Sequence, residues 1–219
     1  MSIIKHNLFG RVMGSAVLGD NPQVALDLLN NIAEDRIFQS PDLQKGLNMD
    51  KLFITHYYYP GTDPWKNIMN FPEEEAFAMA ANLAATHPDI TSFGRFADFE
   101  NYYPNRKKAD EYVRDSFIRL GGKPKLQHPY SFTLMECEYL RKWFDSSEKI
   151  VFDLSDIPDD QVSFTLGDSC ALIVHGEEPV VLTKEMLLDS IRNCGSVDAF
   201  LKQSLGKYAY VEVQLWDAI

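Results

Sequence analysis

The chain has 219 residues, of which 45% are apolar and 12% aromatic, and this content suffices for one sizeable core. Its formal net charge of −11 argues against general nucleic-acid binding and against adsorption to anionic membrane surfaces. No apolar run approaches the roughly 18 residues of a membrane span, and the start of the chain lacks the apolar core of a secretory signal, so we expect a soluble cytoplasmic protein.

The first part of the chain predicts two helical pieces and one strand. Asn21-Pro22 supplies a cap and a helix-compatible proline ahead of an amphipathic stretch, and Ser40-Pro41-Asp42 repeats this start signal for a short turn. Residues 51–59 are rich in aromatic and β-compatible side chains, which favours a strand that Pro60-Gly61 stops.

The middle of the chain has a helical pattern. Pro72 and the three glutamates after it place negative charge at a helix start, and we expect this helix to end near His87. Pro104 is expected to open a second helix, which Gly121-Gly122 closes. A shorter helix is predicted over residues 136–144.

The last third alternates short apolar runs with turn residues. The predicted strands cover residues 150–154, 161–166, 170–175, 180–182 and 207–216, with helical pieces after Thr183 and Ser196. Alternation in these strands predicts that apolar side chains point inward and that polar ones point outward, among them Ser163, Thr165, Glu212 and Gln214.

This order of elements favours an α+β fold. Helices concentrated in the N-terminal two-thirds are expected to pack on a mostly antiparallel or mixed sheet, built largely from the C-terminal third. No linker-like stretch interrupts the chain, so residues 1–219 are expected to form a single globular domain.

A basic and aromatic window runs from Arg95 to Lys142 and holds ten of the 21 Lys and Arg residues together with seven acidic residues. Arginine can fork onto a phosphate or carboxylate, and tyrosine can stack on a base or sugar. We therefore expect a small anionic ligand, bearing phosphate or carboxylate. The expected ligand-binding residues are Arg95, Tyr102, Tyr103, Arg106 and His128.

The alternative interpretation of this window is an ordinary solvent-exposed helix surface, with tyrosines that pack against neighbouring residues. Arg106 would lie in the first turn of the helix that Pro104 opens, where the helix dipole disfavours a cation. An anion would compensate it there, and so would Asp110 and Glu111, one turn further along.

His56 lies inside the predicted strand 51–59, near its end. A histidine there can project into a cleft as a general acid or base, or it can simply be packed and hydrogen-bonded. If the chain is an enzyme, His56 is the candidate for proton transfer; its cofactor is left open. No histidine pair has metal-ligand spacing, so no metal site is predicted.

Gly167-Asp168-Ser169 resembles the Gly-Asp-Ser-Leu block of a family of hydrolases. Cys170 stands in place of the leucine, and the only later histidine is His175. We therefore interpret the block as a tight hairpin turn. Three widely spaced cysteines, with no Cys-x-x-Cys pair, are expected to be reduced and structural: Cys137, Cys170 and Cys194.

Two alternatives to ligand binding come from other residues. His56, the Ser163 and Thr165 strand and Glu212 are similar in outline to ADP-ribosyltransferases that use an early histidine, a Ser-Thr strand and a late acidic residue. That resemblance implies an enzyme acting on nicotinamide dinucleotide through His56 and Glu212, although Glu212-Val213-Gln214 inverts the usual order. The other alternative is a non-catalytic protein-protein interaction module. Its exposed tyrosine-rich surface would comprise Tyr57 to Tyr59 and Tyr102-Tyr103.

Overall fold

The computed structural model describes residues 52–145, 148–204 and 209–217. The helices predicted after Asn21 and Ser40 lie outside these residues. The strands are β1 (Phe53–Tyr57), β2 (Tyr130–Leu134), β3 (Lys149–Asp153), β4 (Val162–Leu166), β5 (Val181–Thr183) and β6 (Val211–Leu215). The α-helices are α1 (Glu73–Thr86), α2 (Thr91–Gly94), α3 (Phe99–Arg119), α4 (Glu138–Trp143), α5 (Ser169–Val174), α6 (Lys184–Cys194) and α7 (Val197–Ser204).

The strands form one sheet in the order β3-β1-β2-β6-β4-β5, and every neighbouring pair is antiparallel. The fold is therefore α+β with an antiparallel sheet. The predicted segregation of elements is wrong in detail, because β1 and β2 come early in the chain and α5, α6 and α7 come late. Pairing between distant segments, as of β2 with β6, determines the sheet, and the order of elements along the chain does not reveal it.

Register divides the central strands into two buried faces. Thr55 lies beside Thr133, and Thr133 beside Glu212, so these side chains share one face. Ile54 and Phe132 point to the opposite, apolar face. The first face, which we call the polar face, lies under α3 and α5: Arg106 of α3 and the Ser169 amide of α5 both bond to Glu212.

The outward orientation predicted for the polar side chains of β4 and β6 is wrong. Ser163, Thr165 and Gln214 are fully buried, and Glu212 is 3% exposed. Their polar atoms bond to each other and to covering residues: Ser163 donates to Gln214, and Trp216 Nε1 donates to Ser163. Alternation alone cannot distinguish a solvated polar face from one that is covered and satisfied internally.

The helix α3 begins five residues before the position predicted from Pro104. Pro104 lies inside it, where it removes one backbone donor. Phe99, Tyr102 and Tyr103 precede the proline and pack on an aromatic core with Phe93 and residues of α1. Because this packing stabilises an additional turn at the start of α3, Arg106 lies in its interior and not in its first turn.

The prediction of a strand over residues 170–175 is wrong, and so is the hairpin before it. Asp168 accepts hydrogen bonds from the amides of Cys170 and Ala171 and thereby caps the helix α5. Gly167 adopts the left-handed region with φ of +90°, which glycine reaches without strain. The periodicity of a short apolar run does not distinguish a strand from a helix. Here the Asp168 cap favours the helix.

Other predicted elements are confirmed. The helix α1 starts directly after Pro72 and ends before His87. Gly121, with φ of +97°, follows the end of α3, and α4 lies within the predicted residues 136–144. The helix α6 starts after Thr183, whose hydroxyl accepts from the Met186 amide. Among the described helices, none has the length and apolar content needed to cross a membrane.

Candidate functional site

A cavity of about 700 Å³ is lined by residues from both faces of the sheet, with Thr55 and Glu212 on the polar face and His56 and Phe132 on the apolar face. Side chains from β1, α3, α4 and α5 line it, together with Tyr210 and Glu212 at the start of β6. Its volume lies within the range of small-molecule sites, roughly 300–1,000 Å³. Arg95, Tyr102 and Arg106, which the sequence singled out, line this one cavity together.

Arg106 is the centre of a group of buried charges. Its Nη2 donates to Asp110 Oδ1 and, over 3.0 Å, to Ser169 Oγ. Its Nη1 lies 3.6 Å from Glu212 Oε1. On the far side, Asp110 Oδ2 lies 2.7 Å from His128 Nδ1, and the two side chains share a hydrogen bond. We call Arg106, Asp110, His128, Ser169 and Glu212 the buried ion cluster.

Burial acts in opposite directions on the pKa values of Arg106 and Glu212. Burial by itself would lower the pKa of Arg106, but Asp110 and Glu212 raise that pKa well above its ordinary value. Burial raises the pKa of Glu212, nearby Asp168 raises it further, and Arg106 acts in the opposite direction. Arg106 is thus a permanent cation whose charge is already neutralised within the protein.

Glu212 is held in place by hydrogen bonds from three elements. Its Oε2 accepts from the Ser169 amide at 2.8 Å and from the Thr165 hydroxyl at 3.3 Å. Its Oε1 lies 3.4 Å from the donating Ser131 hydroxyl. The turn at Gly167 makes this possible, because it brings the first amide of α5 back over β6.

Asp168, Tyr210 and Cys170 line the cavity next to the buried ion cluster. The Tyr210 hydroxyl donates to Asp168 Oδ2 at 3.0 Å, while Oδ1 of the same carboxylate caps α5. Burial raises the pKa of Tyr210 well above its ordinary value and that of the Cys170 thiol to about 11. Cys170 is therefore a protonated thiol at neutral pH and a poor nucleophile.

Arg95 differs from Arg106 in its surroundings. Its guanidinium carbon lies 4.9 Å from the ring centre of Phe96 and 5.4 Å from that of Tyr102. Its Nε is shut off from solvent without a hydrogen bond, and within the described ranges Arg95 makes no ion pair. We call Arg95, Phe96 and Tyr102 the arginine wall.

Tyr102 connects the arginine wall to the buried ion cluster. Burial raises its pKa, and the positive charges of Arg95 and Arg106 both act against that shift. The tyrosine therefore lies within electrostatic range of both arginines. One turn of α3 separates Tyr102 from Arg106, which places the two side chains on the same side of the helix.

The remaining predicted site residues are placed elsewhere or are already engaged. Tyr103 packs against Phe77 and Phe99 in the aromatic core and is not part of the cavity lining. His128 is buried and bonded to Asp110, behind the cavity wall. Of the residues predicted to bind a ligand, Arg95, Tyr102 and Arg106 line the cavity, and Tyr103 and His128 do not.

His56 borders the cavity, but its ring is engaged by the protein. Its Nδ1 donates to the Ser131 carbonyl at 2.8 Å, and its ring centre lies 5.0 Å from that of Phe132. Burial lowers the pKa of His56, and the carbonyls of Ser131 and Pro64 act against this. His56 follows Thr55, so its side chain leaves the sheet on the face opposite Glu212. The structure does not bring His56 and Glu212 together.

The tyrosine run 57–59 does not form the exposed surface that an interaction module would need. Tyr57 is 4% exposed, and its hydroxyl accepts from the Cys137 amide. Tyr58 and Tyr59 are half-buried; Tyr59 packs against Phe93. The Tyr58 hydroxyl donates to Glu148 at 3.1 Å, so only part of this run packs inside the protein.

Several residues of the site were missed by sequence reasoning. The sequence predicts a hairpin turn at Asp168 and Ser169 and gives no role to Tyr210 beyond the last strand. It predicts Asp110 only as compensation for Arg106, and Glu212 only as an outward-facing residue or a catalytic partner of His56. One signal was available: the polar positions of β2 and β4 are serine and threonine, not the lysine or glutamate typical of a solvated face.

No group of three His, Cys, Asp or Glu side chains in the described ranges is placed to hold a metal ion. The chain matches no protein-family model, no curated protein and no solved structure.

Proposed function

We propose that the protein binds a small anionic ligand, bearing a carboxylate or a phosphate, in the cavity beside the arginine wall. The observation that carries the proposal is Arg95, which lines the cavity as a cation without an ion pair among the described residues. A guanidinium forks onto carboxylate and phosphate oxygens, and it does so more strongly where water is partly excluded.

Arg106 has a supporting role in this proposal. Asp110 and Glu212 compensate its charge, so Arg106 holds the cavity wall in place and is not the residue that binds the anion. Tyr102 offers the ligand a ring and a hydroxyl close to Arg95.

A thermal-shift screen tests the proposal directly. Inorganic phosphate, a nucleoside monophosphate, and aliphatic and aromatic carboxylates are each added to the wild type, Arg95→Gln and Lys108→Gln. Lys108 is exposed on α3 and does not line the cavity, so it is the matched control. A ligand at a hundred times its Kd stabilises by about 2.7 kcal/mol, and each kcal/mol raises Tm by about 2–4 °C for a chain of this size.

We expect at least one anion to raise Tm of the wild type and of Lys108→Gln but not of Arg95→Gln. If no anion shifts Tm, or if the shift is unchanged in Arg95→Gln, the cavity is not an anion site and the proposal is wrong.

A further inference from the structure

The cavity has an extensive apolar lining in addition to its charged residues. The apolar side chains from the loop before α1, from α1 itself and from the segment after it are Ile68, Met69, Met79, Leu83, Phe93 and Phe96. Methionines adapt their shape to a bound group, and aromatic rings offer large flat contact areas. A cavity of about 700 Å³ is far larger than a phosphate or acetate ion requires. The apolar lining therefore indicates a ligand with an apolar body.

The charges that line the cavity favour a single negative charge on that ligand. Three basic and four acidic described residues border it, namely Lys66, Arg95, Arg106, Asp63, Asp110, Asp168 and Glu212. Two of the carboxylates already neutralise Arg106. Two lining cations have no ion pair among the described residues, but Lys66 is exposed with its Nζ over the Phe71 ring, which leaves Arg95 as the partly buried one. A phosphate carries about two charges at neutral pH, and its second charge would meet further carboxylates.

In the described part of the chain, the helix start that borders the cavity at α5 has its first amides already engaged. Phosphate sites use several converging backbone amides or the first turn of a helix. In the described structure, the first amide of α5 donates to Glu212, and the next two unpaired amides are taken by Asp168. The planar guanidinium of Arg95 can bind two oxygens of a carboxylate or of a phosphate, so the preference for a carboxylate rests on the engaged amides of α5 and on the carboxylates that line the cavity.

On these observations we infer that the ligand is a monocarboxylic acid with an apolar or aromatic body. Its carboxylate binds Arg95, and its body lies against Phe93, Phe96 and Leu83. This inference rests on the proposed anion site and narrows it to one chemical class. The same lining would accept a straight acyl chain or an aryl ring, because the neighbouring methionines can adjust to either.

Calorimetric titration with matched probes tests the inference. Octanoate carries the body and the carboxylate, 1-octanol only the body, acetate only the carboxylate, and octyl phosphate a second charge above its pKa of about 6. We expect octanoate to bind about 10–100 times more tightly than 1-octanol, as for a hydrogen-bonded charge pair. Acetate and octyl phosphate should bind more weakly than octanoate.

Two variants assign these differences to the residues named. Arg95→Met should lower the affinity for octanoate to that for 1-octanol, and Phe93→Leu should weaken both octanoate and 1-octanol while leaving their ratio unchanged. Lys108→Met, on the exposed side of α3, should bind all probes as the wild type does.

The outcomes separate the inference from the anion site itself. Tighter binding of octyl phosphate or inorganic phosphate that depends on Arg95 would overturn the carboxylate class and leave the anion site standing. Equal affinities for octanoate and 1-octanol would overturn both, and so would the absence of binding by any probe.

Discussion

The two arginines that line the cavity differ in what surrounds them. Arg106 is 8% exposed and bonds to Asp110, Ser169 and Glu212, so its charge is used to join α3, α5 and β6. Arg95 lies on the rings of Phe96 and Tyr102 with no carboxylate partner among the described residues. A basic window in a sequence can therefore combine a cation that is paired inside the protein with one that has no carboxylate partner among the described residues.

Removing the structural cation should have the largest effect on stability. In Arg106→Met, Asp110 and Glu212 stay buried without their cation, and breaking such a pair costs about 3–5 kcal/mol. Urea unfolding followed by circular dichroism measures this loss. A loss below about 1 kcal/mol would mean that the buried ion cluster contributes little and that the contrast between the two arginines is not real.

Removing the cap of α5 should have a smaller effect. Asp168→Ala leaves the amides of Cys170 and Ala171 without their acceptor, which typically costs about 1–2 kcal/mol. Asp168→Asn keeps an acceptor oxygen and should lose clearly less in the same urea experiment. Equal losses in both variants would show that the cap does not hold Ser169 over Glu212, and the buried ion cluster would need another explanation.

The pH dependence of stability is a further test, because it reports the protonation of Glu212, the partner of Arg106. Burial raises its pKa above the ordinary glutamate value of 4.5, so above that pH the folded chain keeps a proton that the unfolded chain releases. The contribution of Glu212 to the free energy of unfolding therefore falls as pH rises from 4.5 through its folded pKa.

Unfolding curves at several pH values compare the wild type with Glu212→Gln, which cannot titrate. We expect a less negative slope of stability against pH in the variant within this window. Glu111→Gln, on the exposed side of α3, should keep the slope of the wild type. A wild-type slope in Glu212→Gln would mean that the carboxylate titrates at its ordinary pKa.

Local chemistry predicted a good part of the fold. Pro72 with its glutamates, the Thr183 cap and Gly121 each act through the residues next to them, and the elements they start or end are where the sequence places them. The strand β1 was predicted for the same reason, since its β-compatible residues and Pro60-Gly61 are adjacent in the chain.

Tertiary packing overrode local signals in the parts that were wrong. Pro104 reads as a helix start, but the aromatic residues before it gain enough from packing to extend α3 backward. Glu212 reads as solvent-facing by alternation, but two helices cover it and supply Arg106 and the Ser169 amide. The residues of β6 do not indicate which helices cover the strand, so the buried ion cluster could not be predicted from the sequence.

The candidate ligand site was predicted in part. Residue type alone predicts ligand binding by Arg95, Tyr102 and Arg106, and these three residues line one cavity. Their different roles depend on which of the two arginines contacts a carboxylate. The position of β6 against α3 decides this contact, and the spacing of residues in the sequence does not predict that position.

The most direct test of these different roles is a single variant, Arg95→Met, measured in two ways. We expect its free energy of unfolding to stay within about 1 kcal/mol of the wild type, because Arg95 leaves no buried carboxylate unpaired. We expect its affinity for the anion that stabilises the wild type to fall about tenfold or more. Unchanged affinity, or a loss of stability as large as that of Arg106→Met, would contradict the account.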